Sequence, residues 1–222
     1  MKMIFYLLAV IILITACDKN ADPVPPLMDI DSNEYDTVKI KSQFWMQQNL
    51  KTSHYRNGDP IPEITSVMLW SSVTSGAWCW YSNDSIKYAA IYGKLYNWYA
   101  VNDPRGLAPE GWHVPTDAEW SALSLSLGDD LVAGGQLKES GTSHWTTPNT
   151  GATNSSGFTG LPGGYRNNLG SFSDIGMIGG WWSSTQSDTD DAWYRSLAYL
   201  DGSLYRLDPN KRVGISIRCL RD

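Results

Sequence analysis

GWHVPTDAEW, residues 111–120, is the stretch on which the fold class turns. Within it Thr116-Asp117-Ala118-Glu119 spells a capping box: the Thr hydroxyl accepts from the backbone N–H of the third helical residue, and the Glu side chain reaches back to the N–H of the cap. A helix therefore begins at Asp117, buries Trp120, Leu123 and Leu127, and ends at Gly128. Beyond it Asp129 to Lys138 reads as a shorter helix weakened by Gly134-Gly135. On the other side, AAIYGKLYNWYAV (89–101) places Ile91, Leu95 and Trp98 at helical spacing, with Tyr92, Tyr96 and Tyr99 on the adjoining face.

Farther out the pattern changes period. Thr37 to Gln43 alternates apolar and polar before Phe44-Trp45-Met46, as a strand leading into a core does. Ala192 to Leu200 and Ser203 to Leu207 flank Asp201-Gly202, a dipeptide suited to the positive φ angles of a tight hairpin, and Arg212 to Leu220 alternates as a closing strand. Between Gly151 and Gly180 no period is visible, and the segment reads as ordered loops pinned by Phe158, Tyr165, Phe172 and Trp181-Trp182. The fold class is α+β, with two main helices beside antiparallel sheet and long ordered loops.

The start of the chain speaks to location. Met1-Lys2-Met3 precedes an unbroken apolar run from Ile4 to Ile14, and Ile14-Thr15-Ala16-Cys17 closes it with two small residues before a cysteine. The run falls short of the roughly 20 apolar residues that a spanning helix needs, and it suits a secretory leader. The closing four residues resemble a bacterial lipobox, so residues 1–16 read as a lipoprotein signal peptide and Cys17 as the lipidated first residue of the mature chain. Two or three acyl chains, at about 0.8 kcal/mol per buried methylene, would hold the protein to a membrane permanently. Residues 17–34, rich in Pro and Asp, read as a solvated spacer without a fold of its own, and 35–222 as one domain. The expected place is the cell envelope, lipid-anchored, most simply at the outer membrane.

With 17 basic against 23 acidic side chains the formal net charge is −6, and no basic cluster stands in the domain, which argues against nucleic acid as a partner. Cys79 and Cys219 remain once Cys17 carries lipid. In an oxidising compartment an even pair favours a disulfide, worth roughly 3–5 kcal/mol on the chain-entropy model, with two free buried thiols as the alternative.

Groups arranged for chemistry are sparse. His54, His113 and His144 are the only histidines, none at metal-ligand spacing, and Gly214-Ile215-Ser216 starts like a nucleophile elbow without reaching its second glycine. Asp84, Glu110, Asp117 and Glu119 read as turn or cap residues. Asp188, Asp190 and Asp191, together with Asp208 in Asp208-Pro209-Asn210, are the carboxylates that could draw Ca²⁺, although a solvated acidic turn explains them more simply. Aromatic side chains are the better resource, because sugar rings pack their C–H faces on Trp and Tyr. Trp78, Trp80 and Tyr81 stand before the expected first helix, and Trp145 sits in a polar segment without core periodicity, so Trp145 is the foremost exposed candidate. Arg166 and Arg195 are expected to satisfy loop carbonyls, and Arg218 a buried carboxylate.

Read in order, TVKIKSQFWMQQNLKTSHYRNGDPIP (37–62), WCWYSND (78–84), YGKLYNWYAV (92–101), GWHVPTDAEW (111–120), GFTGLPGGYR (157–166), WWSST (181–185) and GISIRCLRD (214–222) resemble the Fibrobacter succinogenes major paralogous domain, a family of secreted and lipid-anchored bacterial proteins. Two departures stand near the front: Lys41 occupies a position usually taken by glycine, and Gln47-Gln48 replaces an Ala-Glu pair. The resemblance implies a C-type-lectin-like fold related to formylglycine-generating enzymes. Those relatives use paired C-terminal cysteines, and here Cys219 stands alone in that region. The expectation is a non-catalytic module that binds a polysaccharide or a surface protein, with no cofactor beyond a conceivable Ca²⁺. A glycan-processing enzyme or accessory, and a purely structural envelope component, are the competing readings.

Overall fold

The computed structural model describes residues 27–222. The expected leader over 1–16, Cys17 and most of the expected spacer lie outside the described residues. The described chain enters through β1 (Leu27–Met28), paired antiparallel with β2 (Glu34–Tyr35). Asp29 organises the turn between them: its carboxylate accepts from the backbone N–H groups of Asp31 and Asn33 and, at 2.5 Å, from the Tyr35 hydroxyl. Residues 27–34 therefore belong to the domain, and the expectation of an unfolded spacer up to 34 is corrected over that part. Its acids do not merely solvate the segment; Asp29 is a buried hub for local donors.

The expected first strand is a hairpin, β3 (Thr37–Ile40) and β4 (Gln43–Met46), with Val38 opposite Trp45. Its turn holds Lys41 at φ 54, the left-handed region that favours glycine, which accounts for the glycine expected there from the resemblance. Next come α1 (Val67–Ser72), β5 (Trp78–Cys79) and α2 (Ser85–Tyr92), the last capped by the Asp84 side chain.

The helix expected over 89–101 is broken in the middle. Gly93 stands at φ 67, and a Cβ there would lie 3.0 Å from the carbonyl oxygens of Asn49 and Leu50. The chain leaves α2 at this point, forms β6 (Leu95–Tyr96) against β5, and resumes as the single turn α3 (Trp98–Val101), capped by Asn97. Helical spacing of the aromatics was a true pattern, overridden by a tertiary approach of two backbones.

β7 (Trp112–His113) then leads to the expected helix α4 (Asp117–Ser126), whose capping box is complete, with Thr116 accepting from the Glu119 N–H and Glu119 accepting from the Thr116 N–H. Trp120, Leu123 and Leu127 are buried as expected. α5 (Asp130–Leu137) keeps Gly134 and Gly135 because any Cβ would strike the carbonyls of Ser203 and Gly151.

The glycine-rich stretch contains a hairpin, β8 (Gly163–Arg166) with β9 (Phe172–Ile175), before the long β10 (Ile178–Gln186). β10, β11 (Ala192–Ala198) and β12 (Leu204–Leu207) form an antiparallel sheet in that order. The β11–β12 connection is wider than a tight turn, since Leu197 and Leu204 are its last partners. The closing segment is also not one strand. It touches Asp191 through Asn210, Arg166 through Gly214, Tyr96 through Ile215 and Trp181 through Ser216, and only β13 (Leu220–Arg221) joins a sheet, of order β3-β4-β13-β7. The segment thus runs through the molecule as a spine, with both ends of the matched motifs meeting at one sheet. The architecture is α+β, built of small antiparallel sheets among helices.

Five buried cations fasten the loops to this frame. Arg166 donates to the carbonyls of Ile64, Thr65 and Gly170. Lys138 donates to those of Thr150, Ala198 and Asp201. Lys211 holds the carbonyls of Asp188 and Thr189 with the Gln186 side chain. Arg195 pairs with Asp117 at 2.7 Å, where Arg206 also bonds at 2.9 Å. Arg218 was expected on a carboxylate and instead donates to the carbonyls of Phe158 and Thr159 and to Asn49. A long loop without secondary structure leaves carbonyls that water cannot reach, and one buried cation satisfies several of them together.

The thiols of Cys79 and Cys219 are free and buried, which corrects the disulfide expectation. They lie in separate parts of the core, Cys79 with Trp70, Tyr81 and Leu95, Cys219 with Met46, Tyr96 and Ile217. Burial pushes the Cys79 thiol up to about 12, so it is inert as a nucleophile.

Candidate functional site

The aromatic candidates separate sharply once packed. Trp145 is 1 % exposed, its ring N–H donating to the Gly160 carbonyl at 3.0 Å, in the cluster with Trp45, Trp120, Phe158 and Trp181. Trp78 and Tyr81 are also buried, and the Trp78 ring N–H is spent on the Ile61 carbonyl. The expectation of Trp145 as an exposed platform is therefore wrong, and Trp78 and Tyr81 are walls of the core. Polar neighbours in sequence did not mean polar surroundings in space.

Trp80 is different. It follows β5 directly, stays half-buried, and packs edge-on against Trp78 with ring centroids 5.3 Å apart. It lines a groove of about 460 Å³ with Asp31, Asn33, Lys51, Ser53, Lys94 and the small side chains of α2 at Ala89 and Ala90. That volume lies within the span of about 300–1,000 Å³ usual for small-ligand sites. The elements meeting here are the β1–β2 turn, the segment after β4, β5 and the α2–β6 break. Gly93 makes the site by bending the chain so that Lys94 points back across Trp78.

Lys94 is 2 % exposed. Its ammonium lies 3.5 Å from the centroid of the Trp78 ring and 5.1 Å from that of Trp80, and it bonds to the Ser53 hydroxyl. Among the described residues it makes no ion pair, although Asp31, Glu63 and Asp29 act on it at longer range. Burial pushes its pKa down to about 8. Asp31, the nearest acid, is spent: it accepts from the Ser53 N–H and from Thr52, and lies 2.5 Å from Nδ1 of His54. Burial raises the Asp31 carboxyl, but the Ser53 N–H and His54 outweigh it and hold the group below the usual carboxylate range. Three N–H bonds leave a lysine ammonium, and one has a conventional acceptor here.

Lys94 and Ser53 bring an amine to a hydroxyl, the ingredients of a nucleophile and its base. Acyl transfer also needs backbone donors for the developing oxyanion. The N–H of Ser53 goes to Asp31, that of His54 to Thr52 and that of Tyr55 to Asp59, so the flanking donors are occupied.

The acidic loop does not form a calcium cradle. Asp188 accepts from the N–H groups of Asp190 and Asp191, and the carbonyls of Asp188 and Thr189 already face the Lys211 ammonium. Asp208 is exposed in a turn whose Pro209 carbonyl pairs with the Ala192 N–H. Burial together with the like charges of Asp188, Asp208 and Asp190 raises the Asp191 carboxyl. Among the described residues no group of three His, Cys, Asp or Glu side chains is placed to hold a metal ion. His113 instead ties the C-terminus to the α4 cap, 3.0 Å from Glu119 and 2.6 Å from Asp222, and His144 meets Glu139 at 2.9 Å.

The sequence expectations named Trp80 and missed Lys94. A lone lysine inside the aromatic run YGKLYNW was the available signal, since a helix face that apolar has no reason to carry an unpaired cation. No helix of the described residues is long and apolar enough to cross a membrane.

Compared with known families, residues 38–221 match the model of the Fibrobacter succinogenes major domain. Comparison with curated proteins and with solved structures returns no match. The match spans most of the sequence, and the chain belongs to that family.

Proposed function

We propose that this Fibrobacter succinogenes major domain is a non-catalytic binding module of the bacterial cell envelope, anchored by lipid at Cys17, which holds a polysaccharide in the groove between Trp80 and Lys94. The lipobox-like Ile14-Thr15-Ala16-Cys17 supports the anchor and the envelope location. The observation that carries the binding reading is the groove itself: a half-buried indole, a buried ammonium with spare donors, and the polar ends of Asn33, Ser53 and Lys51 around one concavity. That is the composition by which proteins hold sugars, an aromatic face for the ring and polar groups for the hydroxyls. A C-type-lectin-like arrangement is our reading of the fold, supported by the helices beside antiparallel sheet and by the C-terminal strand closing on β4 and β7.

Absence of enzymatic activity is part of the proposal. It is supported by the occupied backbone donors around Ser53 and by the carbonyl-bound lysine in the acidic loop. The test is binding of the full chain, purified in detergent, to a broad glycan panel with Ca²⁺ and with EDTA. Saturable binding that ignores EDTA and is lost in Trp80→Ala, with the fold intact, is the expected result. Silence across the panel would overturn the glycan reading and turn attention to a surface protein.

A further inference from the structure

We infer that the groove selects an acidic saccharide, one whose ring carboxylate sits against the Lys94 ammonium while the ring lies on Trp80. The inference rests on the glycan reading above and names the class of sugar.

A buried ammonium is costly unless paired, and the other buried lysines meet that demand with three acceptors each. Among the described residues Lys94 has one hydroxyl and two ring faces. A cation over an aromatic face gains about 0.5–2 kcal/mol, short of a desolvated charge's demand. Asp31, Glu63 and Asp29 act on it at longer range, and none of them touches the ammonium. Asp31 is committed to Ser53, Thr52 and His54, and Asp29 to the turn and Tyr35. The missing partner is an anionic oxygen arriving from the groove side, where the Ser53 hydroxyl offers a further polar contact and Lys51 adds a second positive charge. A neutral sugar would supply a hydroxyl but leave the charge without a counter-ion.

The experiment titrates the full chain in detergent with oligosaccharides of galacturonate, glucuronate and mannuronate, each beside its methyl ester, which keeps the ring and removes the charge. At least one acid is expected to bind tenfold or more tighter than its ester. Lys94→Met should erase that preference while Lys51→Met only weakens it, with circular dichroism confirming that both variants fold. Equal binding of acid and ester would overturn the acidic class and leave the glycan reading standing. Preference for a sulfated oligosaccharide over every uronate would overturn the carboxylate in favour of sulfate. Binding of neutral glycans alone would also overturn the inference, and no binding of any glycan would overturn both.

Discussion

Among the described residues Lys94, Lys138 and Lys211 sit by tryptophans, and the first two do opposite things. Lys138 lies 5.5 Å from the ring centroid of Trp145, and its three N–H bonds all end on carbonyls of loops it holds together. Lys94 lies between Trp78 and Trp80 with a single hydroxyl for a polar partner. Burial pushes both ammonium groups down to about 8, against the charges of Asp31, Glu63 and Asp29 at Lys94 and that of Asp201 at Lys138, and what differs is direct contact: three carbonyls at Lys138, one hydroxyl and two ring faces at Lys94. The first arrangement is finished without a ligand. The second is the one we propose a ligand completes.

The comparison breaks most easily at its tryptophans. Trp145→Ala should cost about 3–5 kcal/mol, as large-to-small changes in a packed core do, whereas Trp80→Ala should cost about 1–2 kcal/mol through its edge contact with Trp78. Denaturant unfolding of the two variants reads this directly, and equal losses would erase the distinction between core and groove. A saturated ion pair offers a second contrast. Asp117→Asn leaves Arg195 buried beside a neutral group and should cost about 3 kcal/mol near neutral pH.

That cost carries a pH signature. Burial raises the Asp117 carboxyl, but Arg206 and Arg195 outweigh it and hold the group below its ordinary 3.8. A carboxyl depressed in the folded state contributes stability that is present above the unfolded value and is lost as pH falls through the folded one. The gap between parent and Asp117→Asn should thus be full above about pH 5 and shrink progressively as pH falls below the ordinary carboxylate value toward the depressed folded one. A gap independent of pH would mean that the pair contributes through packing rather than charge.

The smallest expected effect concerns the thiols. With Cys79 and Cys219 free in separate parts of the core, reductant should leave the melting temperature unchanged. A drop of several degrees would show a bond that the structure lacks.

What the sequence revealed follows the range of the forces involved. Thr116 and Glu119 could be read at once, because a capping box closes within four residues. Lys41 was noted only as a departure from an expected glycine, and its φ of 54 emerged with the structure. The expected 89–101 helix failed at Gly93, where the deciding contacts come from Asn49 and Leu50, some forty positions away. Trp145 failed likewise, since its burial is set by Gly160 and by the Trp45–Trp120 stack at 4.6 Å, none of it visible in the polar residues around it. Arg218 shows the same limit: a cation near the terminus pointed to a carboxylate, while the fold had spare carbonyls at Phe158 and Thr159 to satisfy. Lys94 became meaningful only after the break in the helix turned it over Trp78.

The account's central claim is that Lys94 has no structural task that an apolar side chain could not perform. Thermal melting of Lys94→Met beside Lys138→Met, in the absence of glycan, tests it most directly. Lys138→Met strands three part-buried carbonyls, each worth about 1–3 kcal/mol when unpaired, and should fall by roughly 5 °C or more. Lys94→Met removes a buried charge without a counter-ion and should melt within about 2 °C of the parent or above it. A fall for Lys94→Met as large as that for Lys138→Met would contradict the claim and make Lys94 one more fastening of the fold.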